Sequence, residues 1–164
     1  MIENCNIRGF ERQDLARLQE IRAAAYEPVF ESFRRIVGKK IAQVALSNSE
    51  REQAELLRHI CEATSSHDVF VVELGSEIVA FCSVTFDQAS KVGEIGLNAV
   101  HPDFQGRGIG TGMYEWALDR LRAAGMHVAT VGTGGDPSHA PARRAYEKAG
   151  FGAAIPSVYL YRSL

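Results

Sequence analysis

A glycine-rich stretch near the middle of the chain has the residue types and spacing of an anion site. It reads Asn98-Ala-Val-His-Pro-Asp-Phe-Gln-Gly-Arg-Gly-Ile-Gly-Thr111 and separates an apolar run from an amphipathic helix. Gly106, Gly108 and Gly110 lack Cβ atoms, so several backbone N–H groups can converge on one anion. The positive end of the helix that begins near Ile109 adds to this attraction. These residues predict a diphosphate-binding loop.

Two familiar nucleotide-binding patterns do not fit this stretch. A dinucleotide fingerprint would need its third glycine where Thr111 or Met113 stands. A nucleoside-triphosphate loop needs Gly-Lys-Ser/Thr, and no lysine lies between Lys91 and Lys148. The loop is therefore assigned to neither class.

A different motif, Q-x-x-G-x-G, fits the residues from Gln105 to Gly110, directly after a predicted strand and before a predicted helix. A second segment reads Ala142-x-x-x-Tyr146-Glu-Lys-Ala-Gly-Phe151. In this order, separated by one helix and one strand, the two motifs resemble the GNAT superfamily of N-acetyltransferases. The resemblance implies acetyl transfer from acetyl-CoA to a primary amine of a small molecule or peptide, by direct attack in a ternary complex and without a metal.

Composition places the chain among ordinary globular proteins. Its 164 residues are 46% hydrophobic and 23% charged, so we expect a single N-acetyltransferase domain spanning 1–164. The formal net charge of −2 gives no overall attraction to nucleic acid or to a membrane. The N-terminus lacks a basic segment followed by an apolar run, which favours a cytoplasmic location. A homodimer is kept among the expectations.

Cysteine and histidine spacing does not favour a disulfide framework or a metal site. Cys5, Cys61 and Cys82 are odd in number and widely spaced, and Cys82 lies in an apolar run where we expect a small buried hydrophobe. His101 and Asp103 form H-x-D, but two ligands without a third partner make a weak metal site. We therefore interpret His101 as a turn residue.

The period of the apolar residues predicts one α/β domain around a mixed sheet. The resemblance implies the same architecture, a GNAT-like mixed and mostly antiparallel sheet flanked by helices. The first predicted elements are a strand at 2–7, a helix at 14–25, an interruption at Pro28, a short helix at 29–37 and a helix at 50–63 capped by Ser47 or Ser49. An antiparallel meander follows at 69–74, 78–86 and 92–100. The last predicted elements are a helix at 109–124, a strand at 127–131, a helix capped by Ser138 that ends at Gly150, and a closing strand at 157–162.

Acyl transfer to an amine needs a group that accepts a proton and a group that donates one. The amine is mostly protonated at neutral pH, since its pKa is about 10.4, and the leaving thiolate must be protonated. The resemblance makes Tyr146 the acid, whereas helical spacing alone favours a core aromatic. Glu94 is the candidate base, through water, since alternation with Ile95 places it on one strand face with Gly96 and Asn98. It could equally bind the amine.

The resemblance also assigns the cofactor-binding residues. His139 departs from the family pattern, which has a pantetheine-binding asparagine at this place. Imidazole also forms hydrogen bonds, so we keep His139 as a candidate beside the alternative of a surface residue. Arg107 is expected to face a cofactor phosphate, while Arg143 and Arg144 are either phosphate partners or solvated. The candidates for cofactor binding are Asn98, Ala99, Val100, Gln105, Gly106, Arg107, Gly108, Ile109, Gly110, Thr111 and His139.

Two other functions remain open at this stage. One is a catalytically idle domain that senses acetyl-CoA, and the other is a different nucleotide-binding module. Tyr146 and Glu94 favour the enzyme over the sensor. The resemblance places the acceptor side of the cleft at 26–37, where Phe30, Phe33 and Glu31 suit a cationic amine in a partly apolar site, although helical packing explains the aromatics equally well.

Overall fold

A five-stranded mixed sheet forms the centre of the protein, in a computed structural model that describes residues 5–164. The strands follow the chain order across the sheet, with β1 to β4 antiparallel and β4 parallel to β5. This confirms the predicted α/β architecture and the predicted meander. The strands are β1 (Cys5–Gly9), β2 (Asp68–Leu74), β3 (Glu77–Asp87), β4 (Val92–Val100) and β5 (Val128–Val131). The remainder of the predicted first strand, at 2–4, lies outside the described residues.

Four of the five α-helices described within 5–164 cover the two faces of the sheet. One face packs against α1 and α3, through a core that includes Leu18, Leu57 and Phe81. The other face packs against α4 and α5, through a core that includes Met113 and Tyr146. Alternation along the central strands sends neighbouring residues into opposite cores. The helices are α1 (Leu15–Val37), α2 (Lys39–Ala45), α3 (Ser49–Ile60), α4 (Ile109–Ala123) and α5 (Ala140–Lys148).

Pro28 does not interrupt the first helix, so the prediction of two separate helices is wrong. Helix α1 runs unbroken through it. Proline removes one backbone hydrogen bond, but Val29, Phe30 and Ser32 directly after it are buried and hold the second half of the helix in place. None of the helices described within 5–164 has the length and apolar character needed to cross a membrane.

The N-terminal cap predicted for α3 is also wrong. Ser49 is the first helical residue, and Asn48 occupies the cap position without a side-chain hydrogen bond. The Ser47 hydroxyl instead donates to the carbonyl of Val44 at 3.3 Å. The intervening helix α2 has no buried residue, so its sequence carries no apolar stripe by which it could be predicted.

The predicted closing strand at 157–162 is wrong as well. Residues 151–164 have no regular secondary structure, and apolar side chains such as Ile155 and Leu160 are 97% and 91% exposed. A strand needs a neighbouring edge for its backbone hydrogen bonds, and in the described part of the chain this segment pairs with none. Strand β5 is therefore an edge of the described sheet.

Candidate active site

Strands β4 and β5 pair over only part of their length. Their parallel register runs from Val92 opposite Val128 to Ile95 opposite Val131, and it stops there. Beyond Ile95, β4 keeps β3 as its neighbour on one side and faces an open gap on the other. This gap leaves part of a strand edge available to an extended ligand.

The carbonyls of Asn98 and Val100 in β4 face the gap and accept hydrogen bonds from side chains. The Tyr26 hydroxyl donates to the carbonyl of Asn98 at 3.0 Å, and the Gln105 amide donates to that of Val100 at 2.9 Å. Because the N–H and C=O of one strand residue point to the same side, the N–H groups of Asn98 and Val100 also face the gap. Ala99 pairs with Phe81 of β3, so its predicted role in cofactor binding stays a prediction.

A β-bulge in β4 lies at the start of the gap. Gly96 and Leu97 together stand opposite the single residue Ser83, whose hydroxyl donates to the carbonyl of Leu97 at 3.1 Å. A Cβ atom on residue 96 would lie 2.8 Å from the Ser83 Oγ. A larger residue at position 96 would therefore force the Ser83 hydroxyl to move away from the carbonyl of Leu97.

The bulge changes which β4 residues share a face. Ile95 packs in the core beside α4 and α5, and Asn98, three residues later, bonds side chains of the same two helices. Glu94 is exposed and points to the opposite face, which α1 and α3 cover. The prediction that Glu94 and Asn98 share a face is therefore wrong, since the extra residue of a bulge reverses the alternation.

Asn98 is the centre of a buried polar cluster. Its side-chain amide donates to the Tyr146 hydroxyl at 3.1 Å and to the carbonyl of Gly96 at 2.8 Å. Its side-chain oxygen accepts from the Tyr114 hydroxyl at 2.8 Å. The two tyrosine rings lie 4.4 Å apart between centroids, and Tyr146 is only 6% exposed. The cluster holds the Tyr146 hydroxyl against β4 beside the gap.

Burial keeps all three tyrosines of this region protonated. It raises the pKa of Tyr146 above its ordinary value, and hydrogen bonding within the cluster lowers it by less. The pKa values of Tyr26 and Tyr114 are raised for the same primary reason. At neutral pH the Tyr146 hydroxyl therefore carries a proton that it can donate, which suits an acid and not a base.

The predicted diphosphate loop has an open, left-handed backbone. Gly106 and Gly108 have φ angles of +75° and +82°, and nothing lies within 4 Å of a Cβ built on either residue. They are needed for their conformation rather than for space. Gly108 is the N-cap residue of α4 and has no side chain with which to cap it. The N–H groups of Ile109, Gly110 and Thr111 are therefore the unpaired first donors of the helix. The structure confirms that this segment leads from a strand into a helix.

Two predicted cofactor residues are engaged within their own loop. Gln105 ties the loop to β4 through its bond to Val100. Arg107 donates to the carbonyl of Asp103 at 2.9 Å and lies over the Phe104 ring. Its expected contact with a cofactor phosphate stays a prediction, and it requires the exposed side chain to swing away from Phe104.

His139 lies where the chain enters α5. Its Nδ1 is 2.5 Å from Oδ1 of Asp136, and its ring stacks on Phe33 of α1 at 5.8 Å. Asp136 also accepts from the hydroxyls of Ser138 and, at 2.9 Å, of Ser32. Burial alone would raise the pKa of Asp136, but these hydrogen bonds outweigh it and hold the pKa well below its usual range. His139 is thus fixed by an ionised partner and is no free surface residue.

Two of the remaining basic candidates differ in their surroundings. Arg143 donates to the carbonyls of Gly134 and Asp136, so it braces the loop between β5 and α5. Arg143 is therefore not merely solvated, and its alternative role as a phosphate partner stays a prediction. Arg144 is exposed on the outer side of α5.

The described residues bear on the cysteine and metal interpretations. Burial raises the pKa of the Cys82 thiol, which is fully enclosed in the core, as the apolar run predicts. His101 accepts from the N–H of Asp103 at 3.3 Å, which confirms its role in the turn. Within 5–164, no three His, Cys, Asp or Glu side chains are arranged to hold a metal ion.

Sequence reasoning missed Tyr26, Tyr114 and Asp136 as parts of the site. The signal was weak, because a tyrosine at helical spacing equally predicts a core aromatic. Their partners also lie far along the chain: Tyr26 bonds a residue 72 positions away, and Asp136 bonds one 104 positions away. Only the fold brings these side chains together.

A glycine-rich loop at the start of a helix, a strand edge open to an extended ligand and a buried tyrosine beside it are the arrangement expected of a coenzyme A-dependent acyltransferase. The Acetyltransferase (GNAT) family matches residues 25–151 of the chain. The chain therefore belongs to the GNAT family of acetyltransferases, whose members use acetyl-CoA as the acetyl donor. This confirms the resemblance and the predicted cosubstrate.

Individual relatives agree with this membership. A mycothiol acetyltransferase from Sanguibacter keddieii is 35% identical over 116 residues, which are 67% of this chain and 36% of that protein. The chain thus spans about a third of that relative. A GNAT acetyltransferase from Brucella melitensis in complex with acetyl-CoA shares the fold, with a TM-score of 0.63, 23% identity and coverage of 91% and 83% of the two chains. A PaiA N-acetyltransferase from Thermoplasma acidophilum in complex with coenzyme A also shares the fold, with a TM-score of 0.72 and 14% identity. The match covers 93% of this chain and 92% of that chain.

Proposed function

We propose that this protein transfers the acetyl group of acetyl-CoA to a primary amine of a small molecule or peptide, by direct attack within a ternary complex. The observation that carries the proposal is the buried Tyr146 hydroxyl, which Asn98 holds beside the gap between β4 and β5. Tyr146 is the proposed acid and Glu94 the proposed proton acceptor.

The described residues suit two parts of acetyl-CoA, the diphosphate and the pantetheine arm. The open backbone of Gly106 and Gly108 and the first N–H groups of α4 suit the diphosphate. The N–H groups of Asn98 and Val100 suit the amides of the extended pantetheine arm. His139 on the α5 side of the gap suits a further hydrogen bond to that arm, in place of the family's asparagine.

When bound, acetyl-CoA supplies an activated thioester. The amine must reach it without its extra proton, and Glu94 accepts that proton through water, from the face covered by α1 and α3. A backbone N–H of the irregular part of β4 would stabilise the charge that the thioester oxygen gains. Tyr146 donates its proton to the departing sulfur from the face covered by α4 and α5. The bulge thus separates the base and the acid onto opposite faces of one strand.

Two measurements test the proposal. Thermal unfolding with acetyl-CoA, CoA, ATP and NAD should show stabilisation by the first two ligands, worth about 2.7 kcal/mol at 100 times the dissociation constant. A panel of amines is then assayed for release of free thiol from acetyl-CoA. Equal stabilisation by ATP would contradict the cofactor assignment. Binding of acetyl-CoA without thiol release from any amine would instead favour the sensor.

A further inference from the structure

Tyr26 of α1 reaches the gap with a hydroxyl that is only partly used. The hydroxyl donates to the carbonyl of Asn98 at 3.0 Å, and within 5–164 Tyr26 makes no other side-chain hydrogen bond. A phenolic hydroxyl has one hydrogen to donate, and its oxygen can also accept hydrogen bonds. Because the bond to Asn98 takes up the donor, the Tyr26 oxygen keeps its acceptor capacity at the edge of the gap.

Burial fixes this oxygen as a neutral acceptor. It raises the pKa of Tyr26 above its ordinary value, and the neighbouring Tyr146 raises it further. The Tyr26 ring packs against the core on the α1 face of the sheet and lies 6.3 Å from the Phe30 ring between centroids. The hydroxyl therefore stays protonated at neutral pH and is held in one place.

The segment of α1 that carries Tyr26 crosses the gap. At one end Tyr26 bonds β4, and at the other end Phe33 stacks on His139 at the entry to α5, with 5.8 Å between the ring centroids. The two aromatic residues are seven positions apart, which is about two turns of helix, so they lie on one face of α1. Residues 26–33 therefore form the wall of the gap on the side opposite α4 and α5.

Tyr26 is the polar residue that this wall presents next to β4. Ser32, the buried polar residue further along the wall, already donates to Asp136 at 2.9 Å. The side chains of Glu27 and Glu31 are exposed to solvent. An amine that enters the gap along α1 thus meets the Tyr26 oxygen where it reaches the strand.

Asn98 places Tyr26 and Tyr146 around the same ligand position. Its main-chain carbonyl holds the Tyr26 hydroxyl from the α1 side, and its side-chain amide holds the Tyr146 hydroxyl at 3.1 Å from the α5 side. The N–H and C=O of one strand residue point to the same side, so a ligand bonded to the N–H of Asn98 lies beside Tyr26. In the proposed function this ligand is acetyl-CoA, whose sulfur Tyr146 protonates. A nucleophile that attacks from the opposite side approaches Tyr26.

We propose that Tyr26 binds the acceptor, its oxygen accepting an N–H of the attacking amine and so directing the nitrogen lone pair at the thioester. This inference rests on the proposed function. A neutral primary amine has two N–H groups besides its lone pair, one for Tyr26 and one for the water that leads to Glu94. A secondary amine has a single N–H and cannot serve both. The hydrogen bond to Tyr26 strengthens as the nitrogen gains positive charge, so it favours the transition state and selects primary amines.

The first test compares matched amines on two proteins. Glycinamide and benzylamine are assayed beside their N-methyl derivatives, on the unaltered protein and on Tyr26→Phe, which keeps the ring that packs near Phe30. We expect kcat/KM for the primary amines to fall by about 3- to 10-fold, because one hydrogen bond is lost. The loss should be smaller for the N-methyl amines, whose single N–H can turn to the water instead. An equal loss for both classes would overturn the inference.

Two controls separate the acceptor from the donor. The calorimetric affinity for acetyl-CoA, and the release of thiol by water without an amine, should be the same in Tyr26→Phe and in the unaltered protein. Tyr161→Phe, in the exposed C-terminal segment, is the matched control and should keep the full preference for primary amines. A loss of acetyl-CoA affinity as large as the loss of kcat/KM would show that Tyr26 only shapes β4, and it would overturn the inference.

A third measurement does not depend on turnover. Calorimetric titration of the CoA complex with the same two primary amines compares their binding to the unaltered protein and to Tyr26→Phe. Weaker binding to Tyr26→Phe supports the inference even if no amine is acetylated, a result that would count against the proposed function alone. Equal binding to both proteins, or binding to neither, overturns the inference, while acetylation of the amines would leave the proposed function intact.

Discussion

The two faces of the sheet differ in the groups that the proposed function assigns to ligand binding. On the side of α4 and α5, the binding groups are backbone N–H groups at a helix start and a strand edge, shaped by glycines with positive φ. On the side of α1 and α3, the proposed group is a side chain, the carboxylate of Glu94. Binding by backbone N–H groups depends mainly on the glycines that shape the backbone, whereas binding by side chains changes with each substitution of those side chains. The proposed donor side therefore depends on backbone conformation, and the proposed acceptor side depends on side-chain chemistry.

The strongest way to break the donor side is Gly108→Val. The φ angle of +82° is strained for any residue with a Cβ and most of all for a β-branched one, so the loop should lose its shape. We expect acetyl-CoA affinity to fall by more than about 10²-fold, which would remove the thermal stabilisation of about 2.7 kcal/mol. Calorimetry checks the affinity.

The control for this variant is Gly9→Val, where a Cβ meets nothing within 4 Å and φ is not positive. It should bind acetyl-CoA like the unaltered protein. If Gly108→Val also binds normally, the loop is structural and the diphosphate lies elsewhere.

The next largest effect is expected for Tyr146→Phe. Phenylalanine keeps the ring that packs on Tyr114 but removes the proton. General acid catalysis contributes about 10²- to 10⁴-fold, and a thiolate is a good leaving group, so kcat should fall by about 10²-fold. Binding of CoA should be unchanged. Turnover and calorimetry on both proteins separate the two quantities.

The exposed Tyr159→Phe serves as the matched control and should retain full activity. Full activity in Tyr146→Phe would identify this tyrosine as a core aromatic, with solvent protonating the thiolate. A parallel loss of CoA binding would instead show that the variant disturbs the donor site.

On the acceptor side, Glu94→Gln should give a smaller and pH-dependent loss. If Glu94 accepts the proton, kcat should fall by roughly 10- to 100-fold at neutral pH. The loss should shrink as the pH rises, because more of the amine is already neutral. Profiles of kcat against pH for both proteins provide the check.

Glu115→Gln, an exposed change on α4, controls for the loss of one negative charge. A Glu94→Gln variant altered only in KM for the amine would make Glu94 a binding residue. That outcome would sharpen the contrast between the faces, since the acceptor side would then bind and not catalyse.

The difference between the faces also explains what could be predicted from the sequence. The diphosphate loop and Tyr146 lie within motifs whose spacing is local, so both could be read along the chain. The polar partners of α1 could not, since Ser32 bonds a residue 104 positions away. The face of Glu94 was mispredicted because one extra residue in β4 reverses the alternation of side chains. The pattern of apolar residues in the sequence does not show where such a bulge occurs.

The same reasoning applies to the fold. The meander and α4 have strong periods and glycine at their ends, and both were predicted within a few residues. The effect of Pro28 and the structure of the C-terminal segment were mispredicted because local propensity does not report tertiary contacts. Buried residues hold α1 together through the proline, while the apolar tail has no neighbouring edge among the described residues.

The smallest expected effect concerns Asp136, which joins the two faces by bonding Ser32 of α1 and His139 just before α5. Asp136→Asn keeps the shape but removes the charge, and hydrogen bonds to a charged group are worth about 1.5–3 kcal/mol. Since the amide retains part of them, we expect a loss of about 1–2 kcal/mol in the free energy of unfolding at neutral pH. Urea unfolding at several pH values measures this difference, with the exposed Asp119→Asn as the control.

The pH dependence of that difference has a definite sign. The folded pKa of Asp136 is lowered, so its stabilisation is fully present above its ordinary pKa of about 3.9 and is lost as the pH falls through the folded value. The free energies of unfolding of the unaltered protein and of Asp136→Asn should therefore differ at neutral pH and converge in acid. The Asp119→Asn variant should follow the unaltered protein at every pH. A constant difference at every pH would show that the amide disturbs packing and not charge, and the two faces would then be joined by shape alone.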